Sequence, residues 1–354
     1  MHSQFLLYGA NGYTGELIAR HAAQYGLQPI LAGRRREALE PLANQLGLPY
    51  LVIDLNDTAA LTAALRNVKL VVHAAGPFAH TAKQMVEACL QTGTHYTDIN
   101  GDISVFELLK TYDAAAQKAG IMVMPGVGFD VVPTDCIALS LKQQLPDATH
   151  LQLAFATDGG SISHGTAITM AGKLGEGGAV RRNGQITRAP LGGEGMYVDF
   201  FAGKGPTKKM FVMSIPWGDI STAHFTTGIP NITTYTGMKP KVYKMLKWHG
   251  LFNWLLRMEW VRNIIKKKIA QRPAGPNDEQ RSKAIGYVWG KATNAAGQTA
   301  TAGLCGPEGY TITLHATLLI AQKILNGQLA TGYQTPAKVY GAGLIGEVPG
   351  VVMC

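Results

Sequence analysis

The chain has 354 residues, of which 46% are hydrophobic and 16% charged, with 42 glycines and 17 prolines. This composition is typical of a folded globular protein and excludes a disordered chain, a collagen-like repeat and a disulfide-stabilised scaffold. The formal net charge is +9, and no two of the four cysteines have the CxxC spacing of a zinc or thiol-redox site. At about 150 residues per domain, the length predicts two domains.

The N-terminal part alternates short apolar runs, predicted as strands, with helical stretches. The predicted strands are residues 5–8, 30–32, 50–53, 70–74, 95–97 and 121–124. This alternation predicts an α/β fold with a Rossmann-like, doubly wound parallel sheet. We assign residues 1–135 to this domain and expect 307–354 to return to it. The first apolar run is short and has no basic leader, so we expect a cytoplasmic protein.

A glycine-rich turn follows the first predicted strand. Its glycines have GxxGxxG spacing, and helix-forming residues follow at once. The first glycine permits a tight turn, the second lets the backbone approach a pyrophosphate, and the third allows close packing of helix on strand. The helix N-terminus faces the phosphates. The residues predicted to contact a dinucleotide here are Gly9, Asn11, Gly12, Tyr13, Thr14 and Gly15.

The end of the second predicted strand indicates which dinucleotide binds. An NAD site usually has Asp or Glu near this position, where it binds the ribose 2′-hydroxyl. Here Arg34, Arg35 and Arg36 follow instead. A guanidinium can bind a 2′-phosphate and stack on adenine, and we assign this role to Arg34 and Arg35. Arg36 is interpreted as a solvent-facing residue, and NADPH is preferred over NADH.

Two later strand ends complete the predicted cofactor site. Asp54 follows the third strand, where the adenine edge is expected, although a cap of the next helix is the alternative. Small residues follow the fourth strand and would let the nicotinamide ribose approach the backbone, with an ordinary strand-to-helix turn as the alternative. This last segment consists of Ala75, Gly76, Pro77 and Phe78.

After about residue 144 the pattern changes to longer strand-like runs separated by turns rich in glycine and proline. Examples are residues 151–156, 210–215, 285–289 and 299–304. This pattern predicts a second, α+β domain built on a mostly antiparallel sheet, which we place at residues 136–306 and expect to bind the substrate. A helix is predicted over residues 309–325.

The excess positive charge lies in residues 239–272, which hold ten Lys and Arg residues against Glu259 alone. Trp248, Trp254 and Trp260, with apolar residues at steps of three and four, predict a basic amphipathic helix. Packing on its own domain, docking on a membrane surface and contact with an acidic carrier protein are the alternatives. Nucleic acid is not expected, because no nucleic-acid module is recognisable. The charges in its most apolar stretch exclude an uninterrupted transmembrane span.

Several motifs together resemble the saccharopine-dehydrogenase-like NADP-binding proteins and, more narrowly, the trans-acting enoyl reductase family. The motifs shared with the wider group are GANGYTG (9–15), AGR (32–34), AGPF (75–78), HYTD (95–98) and PGVGFDVVPTD (125–135). Those that point to the narrower family are GPNDEQR (275–281), GPEGY (306–310) and QTPA (334–337). The resemblance implies a Rossmann domain, an inserted substrate domain and NADPH-dependent reduction.

The resemblance also implies a choice of substrates. The enoyl reductases act on a polyketide or fatty-acyl chain presented on a separate carrier protein, whereas saccharopine-type relatives reduce an imine made from an amino acid and a carbonyl compound. For this chain we expect a small-molecule or carrier-bound acyl substrate. We expect enoyl-type reduction. The imine alternative calls for several arginines that bind carboxylates, for which Arg181, Arg182 and Arg188 are available. A weakly catalytic lipid-surface protein that retains the nucleotide fold is the third hypothesis.

Four side chains are candidates for the chemistry: Tyr96, Asp98, Asp130 and His164. Tyr96 and His164 could transfer a proton, whereas Asp98 or Asp130 could orient the nicotinamide carboxamide or a polar group of the substrate. Tyr96 and Asp98 lie around the end of the fifth strand, where doubly wound folds bind ligands, and Asp130 also follows a strand. Each of these three fits a structural role as well, as a buried tyrosine or a turn residue. His164 precedes a helix whose first amides could bind a carbonyl.

The sequence suggests no further cofactor. No His, Cys and carboxylate cluster has metal-ligand spacing, so no metal is expected. The oligomeric state is left open, with a homodimer as one option.

Overall fold

A computed structural model describes residues 4–172, 177–249, 258–271 and 273–354. The chain divides into two units. The first consists of Met1–Val132 and Tyr310–Leu344, and the second of Pro133–Gly309 and Ile345–Cys354. The larger part of the second unit is therefore inserted into the chain of the first, and its C-terminal part follows the last segment of the first.

The first unit is built on a parallel sheet of seven strands, numbered in chain order. They are β1 (Gln4–Tyr8), β2 (Gln28–Gly33), β3 (Tyr50–Val52), β4 (Leu70–His73), β5 (His95–Asp98), β6 (Met122–Met124) and β15 (Gly332–Tyr333). The order across the sheet is β15-β6-β5-β4-β1-β2-β3, and all neighbours are parallel. β2 and β3 lie on one side of β1, and β4, β5 and β6 lie on the other. The boundary between β1 and β4 is therefore the switch point where such sheets bind ligands.

Helices follow the strands of this sheet and cover it. They are α1 (Tyr13–His21), α2 (Arg36–Leu46), α3 (Thr58–Leu65), α4 (Phe78–Thr92), α5 (Ile103–Lys110), α6 (Asp113–Ala119), α13 (Gly309–Leu325) and α14 (Pro336–Tyr340). The strand β4 is buried along its whole length, as expected for a parallel strand covered on both faces. The predicted doubly wound sheet is confirmed, and α13 has the predicted bounds.

The second unit contains a nine-stranded mixed sheet. Its strands are β7 (Ala148–Asp158), β8 (Gly178–Arg182), β9 (Gln185–Ala189), β10 (Gly195–Phe200), β11 (Lys208–Ile215), β12 (Asn231–Gly237), β13 (Ile285–Asn294), β14 (Thr299–Pro307) and β16 (Val352–Met353). The order is β10-β11-β12-β7-β13-β14-β16, with the β8–β9 hairpin joined to β12. Among the described strands of this second sheet, only β7 and β12 pair in parallel, so the predicted mostly antiparallel sheet is confirmed.

The helices of the second unit lie between these strands in the chain. They are α7 (Val132–Gln144), α8 (His164–Gly172), α9 (Asp219–Thr227), α10 (Pro240–His249), α11 (Glu259–Ala270) and α12 (Asp278–Lys283). A core cluster on the sheet includes Phe200, Val212, Tyr235 and Tyr287, which are at most 4% exposed.

The C-terminal tail differs from the sequence-based expectation. We predicted that the whole of 307–354 returns to the first domain. The structure divides this tail: Tyr310–Leu344 lies in the first unit, where β15 pairs with β6, but Ile345–Cys354 lies in the second. The reason is β16, a two-residue strand that pairs antiparallel with β14.

The basic segment 239–272 contains two described helices, α10 and α11, where the sequence predicted one. Trp254, Arg257 and Arg272 lie outside the described residues, as does the side chain of Trp248. Within the described ranges, no helix is long and apolar enough to cross a membrane.

Candidate cofactor site

The turns after β1 and β4 meet at the carboxyl edge of the parallel sheet. Gly9 has a φ of +89°, and a Cβ built on it would lie 2.7 Å from the carbonyl carbon of Ala74 and from the nitrogen of Ala75. A Cβ on Gly15 would overlap the carbonyl oxygen of Gly9. Glycine is therefore required at both positions, because each is closed by backbone atoms that have no room to move.

Helices that begin at the predicted cofactor segments lack side-chain caps. The N-cap residues of α1, α2 and α4 are Gly12, Arg35 and Pro77, and none of them caps its helix through its side chain. By contrast, α3 and α5 are capped by Asp57 and Asp102, whose carboxylates each accept a backbone N–H at 2.9 Å. At the N-termini of α1, α2 and α4, no N-cap side chain therefore competes with an anionic ligand.

The other residues of the first turn brace it. The Oδ1 of Asn11 lies so close to Gly33 that a Cβ there would approach it to 2.9 Å. The ring of Tyr13 packs edge-to-face on Tyr310, with centroids 5.0 Å apart, and Thr14 is half-buried in the first turn of α1. These contacts hold the turn against the end of β2 and against α13.

Three arginines at the end of β2 have different surroundings. Arg36 is bound within the unit, since its Nη1 donates to the hydroxyl of Tyr50 at 3.0 Å. Arg34 and Arg35 are exposed, and no hydrogen bond or ion pair holds either side chain within the described part of the chain. Burial raises the pKa of Tyr8 to about 12, and the nearby charge of Arg34 opposes this rise. The structure therefore leaves two guanidinium groups available to an anion.

Asp54 is exposed after β3 and closes a local turn. Its Oδ1 accepts hydrogen bonds from the backbone N–H and the side-chain amide of Asn56, both at 2.9 Å. The alternative role as a helix cap is wrong, because Asp57 caps α3.

A buried histidine supports the segment Ala75–Gly76–Pro77–Phe78 and was missed in the sequence. His73 is fully buried, with Nε2 2.9 Å from the hydroxyl of Thr81, and that hydroxyl donates to the carbonyl of Ala75 at 2.9 Å. Because the hydroxyl proton points to Ala75, the histidine must donate from Nε2. Burial lowers the pKa of His73 to about 3, so the ring is neutral.

The surroundings of this histidine connect it to the candidate site. The ring of Phe78 packs against it with centroids 5.3 Å apart, while Gly76 and Pro77 are exposed. Its Nδ1 has no hydrogen-bond partner among the described residues. A histidine at the end of an apolar run gives no sequence signal of this role beyond its position after β4.

Tyr96 and Asp98 form a buried hydrogen-bond network, as the structural alternative for these residues predicts, and their catalytic role stays a prediction. The hydroxyl of Tyr96 donates to Oδ2 of Asp98 at 2.6 Å. Oδ1 of Asp98 accepts from the backbone and side-chain N–H groups of Asn100, at 3.0 and 2.6 Å, and from the N–H of Gly126 at 2.9 Å. Neither side chain is exposed, and burial raises the pKa of both groups. The pair ties the loop after β5 to the loop after β6.

Asp130 lies beyond β6 and is half-buried. A Cβ on Gly101 would come within 2.5 Å of its Oδ2, so the carboxyl group rests against the loop after β5. The neighbouring backbone is held by the N–H of Phe129, which donates to Oγ1 of Thr313 at 3.0 Å. Burial raises the pKa of Asp130 to about 7. A carboxyl group with this pKa can hold or release a proton near neutral pH.

His164 is the first residue of α8, in the second unit. Its backbone N–H donates to the carbonyl of Ala274 at 2.9 Å, and the N–H of Thr166 donates to Oγ of Ser163 at 3.3 Å. The first amides of this helix, which we expected to bind a carbonyl, are thus used within the chain.

A parallel sheet whose first turn requires glycine at two positions beside the switch point is the arrangement of a dinucleotide-binding protein. Residues 5–124 match the family described as the saccharopine dehydrogenase NADP binding domain. The cofactor of the domain is therefore NADP, as predicted.

Curated relatives agree with this assignment. A saccharopine dehydrogenase-like oxidoreductase from Mus musculus is 28% identical over 203 residues, which cover 50% of this chain and 47% of the relative. A trans-acting enoyl reductase from Mycobacterium tuberculosis is 29% identical over 153 residues, covering 41% and 37%. The match spans about half the length of the mouse relative.

Solved structures extend the likeness of fold to nearly the whole chain. Saccharopine dehydrogenase (L-Glu forming) from Saccharomyces cerevisiae gives a TM-score of 0.66 at 14% identity, covering 97% of this chain and 96% of that one. Homospermidine synthase from Legionella pneumophila, solved with NAD, gives 0.61 at 9% identity, covering 99% and 91%. At these identities the likeness concerns the fold alone.

Two glycine variants test whether the turn is built as described. Gly15→Ala should lower the free energy of unfolding by about 1–3 kcal/mol, because the methyl group meets a backbone carbonyl. Gly12→Ala should cost about 1 kcal/mol or less, since φ is −82° and the nearest atom is 3.3 Å away. Its methyl group should instead weaken NADPH binding. Thermal unfolding and cofactor titration measure the two effects, and equal destabilisation by both would contradict this geometry of the turn.

Asp130→Asn tests the raised pKa. The native state favours the protonated carboxyl, so its stabilising contribution is full below the unfolded pKa of about 4 and is lost as the pH rises through about 7. Between these two pH values the wild type should lose roughly 2–4 kcal/mol of its free energy of unfolding through this group. Because asparagine cannot ionise, the variant should not show this loss. Urea unfolding at acid and at alkaline pH measures this, with the exposed Asp199→Asn as control. Identical pH profiles for the wild type and Asp130→Asn would show that the prediction is wrong.

Proposed function

We propose that the protein is an NADPH-dependent reductase of an activated double bond in an enoyl-type acyl substrate. The observation that supports nucleotide-dependent chemistry most directly is the contact between Gly9 and the backbone of Ala74 and Ala75, inside an NADP-binding domain. Both curated relatives named above carry reductase or oxidoreductase descriptions.

Different segments of the first unit would bind different parts of the cofactor. The first turn and the N-terminus of α1 would bind the pyrophosphate, and Arg34 and Arg35 the 2′-phosphate. Asp54 would lie at the adenosine end. The turn from Ala75 to Phe78, supported by His73, would bind the nicotinamide end. Bound NADPH supplies hydride, and the protein has to position the acceptor and deliver one proton.

Asp130 is the proton donor in this proposal. Its carboxyl group is half-buried at the ligand-binding edge of the sheet and has a pKa of about 7, so an appreciable fraction carries a proton at neutral pH. Tyr96 and Asp98 are tied into a closed, buried network. General acids with a pKa near the working pH transfer protons efficiently.

The arginines support the enoyl substrate over the imine. Arg181 is 5% exposed, and its guanidinium donates to the backbone carbonyls of Ile220 and Gly184. A guanidinium engaged in this way offers no open fork to a substrate carboxylate. Arg182 and Arg188 are exposed on the β8–β9 hairpin. The requirement of the imine reaction for several carboxylate-binding arginines is therefore poorly met.

Cofactor preference is tested by fluorescence titration with NADPH and NADH. Loss of a charged hydrogen bond costs about 1.5–3 kcal/mol, so Arg34→Ala should weaken NADPH binding by roughly ten- to a hundredfold and weaken NADH binding much less, since NADH loses only the stacking on adenine. Arg36→Ala is the matched control, since this side chain is bound to Tyr50, and it should bind NADPH like the wild type. Equal wild-type affinity for the two cofactors would contradict the assignment of the 2′-phosphate.

The substrate class is tested by following NADPH oxidation with a 2-enoyl thioester and, separately, with an imine formed from an amino acid and a 2-oxo acid. We expect oxidation with the thioester alone. Asp130→Asn should lower kcat by roughly 10²–10⁴ while NADPH affinity is retained. Oxidation with the imine alone would establish the alternative, and no oxidation with either would favour a protein without this catalysis.

A further inference from the structure

Helix α11 buries one face and exposes apolar side chains on the other. Ile269 is 6% exposed and packs against Ala167 and Ala171 of α8. Trp260 is 58% exposed and Ile264 48% exposed. At 3.6 residues per turn, these two lie about 180° and 140° around the helix from Ile269. An amphipathic helix packed only on its own protein has the reverse arrangement, with polar residues on the outer face.

A further exposed apolar residue flanks the contact between the two helices. Met170 of α8 is 59% exposed and precedes Ala171, which packs on α11. Single exposed apolar residues are ordinary, but an exposed tryptophan and isoleucine one turn apart on one helix form a defined apolar strip. Trp260, Ile264 and Lys267 together form the outer face of α11.

The charge beside this strip is positive. Lys267 and Lys268 are exposed, and Lys267 lies about 160° from Ile269, on the outer face. Earlier in the sequence of the same basic segment, Lys239, Lys241 and Lys244 are exposed at the start of α10. Glu259 is the single acid among eleven charged residues in 239–272. The surface that complements this combination is anionic as well as apolar.

Lipid fits this surface better than a protein does. Lysine is depleted at the centres of protein interfaces, where charge has to be desolvated. Interfacial membrane helices instead combine lysines with tryptophan and aliphatic residues, because the ammonium groups meet lipid phosphates while the apolar side chains enter the headgroup boundary.

We propose that the outer face of α11 docks on an anionic membrane surface. Trp260 and Ile264 enter the headgroup region, and Lys267 and Lys268 lie at the lipid phosphates. The docking requires no cofactor and no turnover, so it is independent of the proposed reductase activity.

Vesicle flotation of the full-length protein tests this docking. The vesicles are phosphatidylcholine alone, or phosphatidylcholine with phosphatidylserine in a two-to-one ratio. The wild type should float with the anionic vesicles and bind neutral ones at least about tenfold more weakly, because each basic residue near the surface gains from anionic lipid. Failure to float with anionic vesicles at physiological salt overturns the proposal. If the protein binds an acidic acyl carrier protein but not these vesicles, the proposal is overturned as well.

Matched variants separate the outer face from net charge. Lys267→Glu with Lys268→Glu should weaken anionic-vesicle binding by about tenfold or more, and Trp260→Ser with Ile264→Ser should weaken it at constant charge. Lys83→Glu with Lys118→Glu changes two exposed lysines of the first unit by the same charge and should bind like the wild type. Equal loss in this control would overturn the proposal, because the attraction would then be unspecific. Thermal unfolding checks that each variant is folded.

Discussion

The contact of Gly9 with the backbone after β4 is the constraint on which the cofactor edge depends. It fixes the distance between the two turns that flank the switch point, and no other residue can take the place of the glycine. The neighbouring turns are then held by buried polar groups. His73 and Thr81 support the turn after β4, and Asp98 joins the loops after β5 and β6. The edge is therefore arranged by the protein's own hydrogen bonds.

Three aspartates near this edge show how surroundings decide chemistry. Asp54 is exposed and occupied by a local turn, whereas Asp98 is fully buried and accepts four hydrogen bonds. Asp130 is half-buried, and burial dominates the shift of its pKa. The three residues are alike in sequence, each following a strand. Only the environment separates a turn residue, a structural carboxylate and a candidate acid.

Much of the fold could be predicted because its signals are local. The strands of the parallel sheet, the glycine spacing and the helix at 309–325 all follow from short patterns. Other features depend on contacts between distant residues: Asp98 binds the amide of Gly126, and Arg181 binds the carbonyl of Ile220. Periodicity predicted an amphipathic helix in 239–272 but could not indicate which face turns inward. The strand β16 has two residues, which are too few to give a recognisable strand pattern in the sequence.

The interleaving of the two units affects the order in which the chain can fold. The first unit needs residues from both sides of the inserted unit: β15 extends its sheet, and Thr313 holds the amide of Phe129. During synthesis, these partners appear only after Pro133–Gly309 of the second unit has been made. The parallel sheet of the cofactor domain therefore stays incomplete until then. The pairing of β15 with β6 joins residues far apart in sequence and comes late in folding.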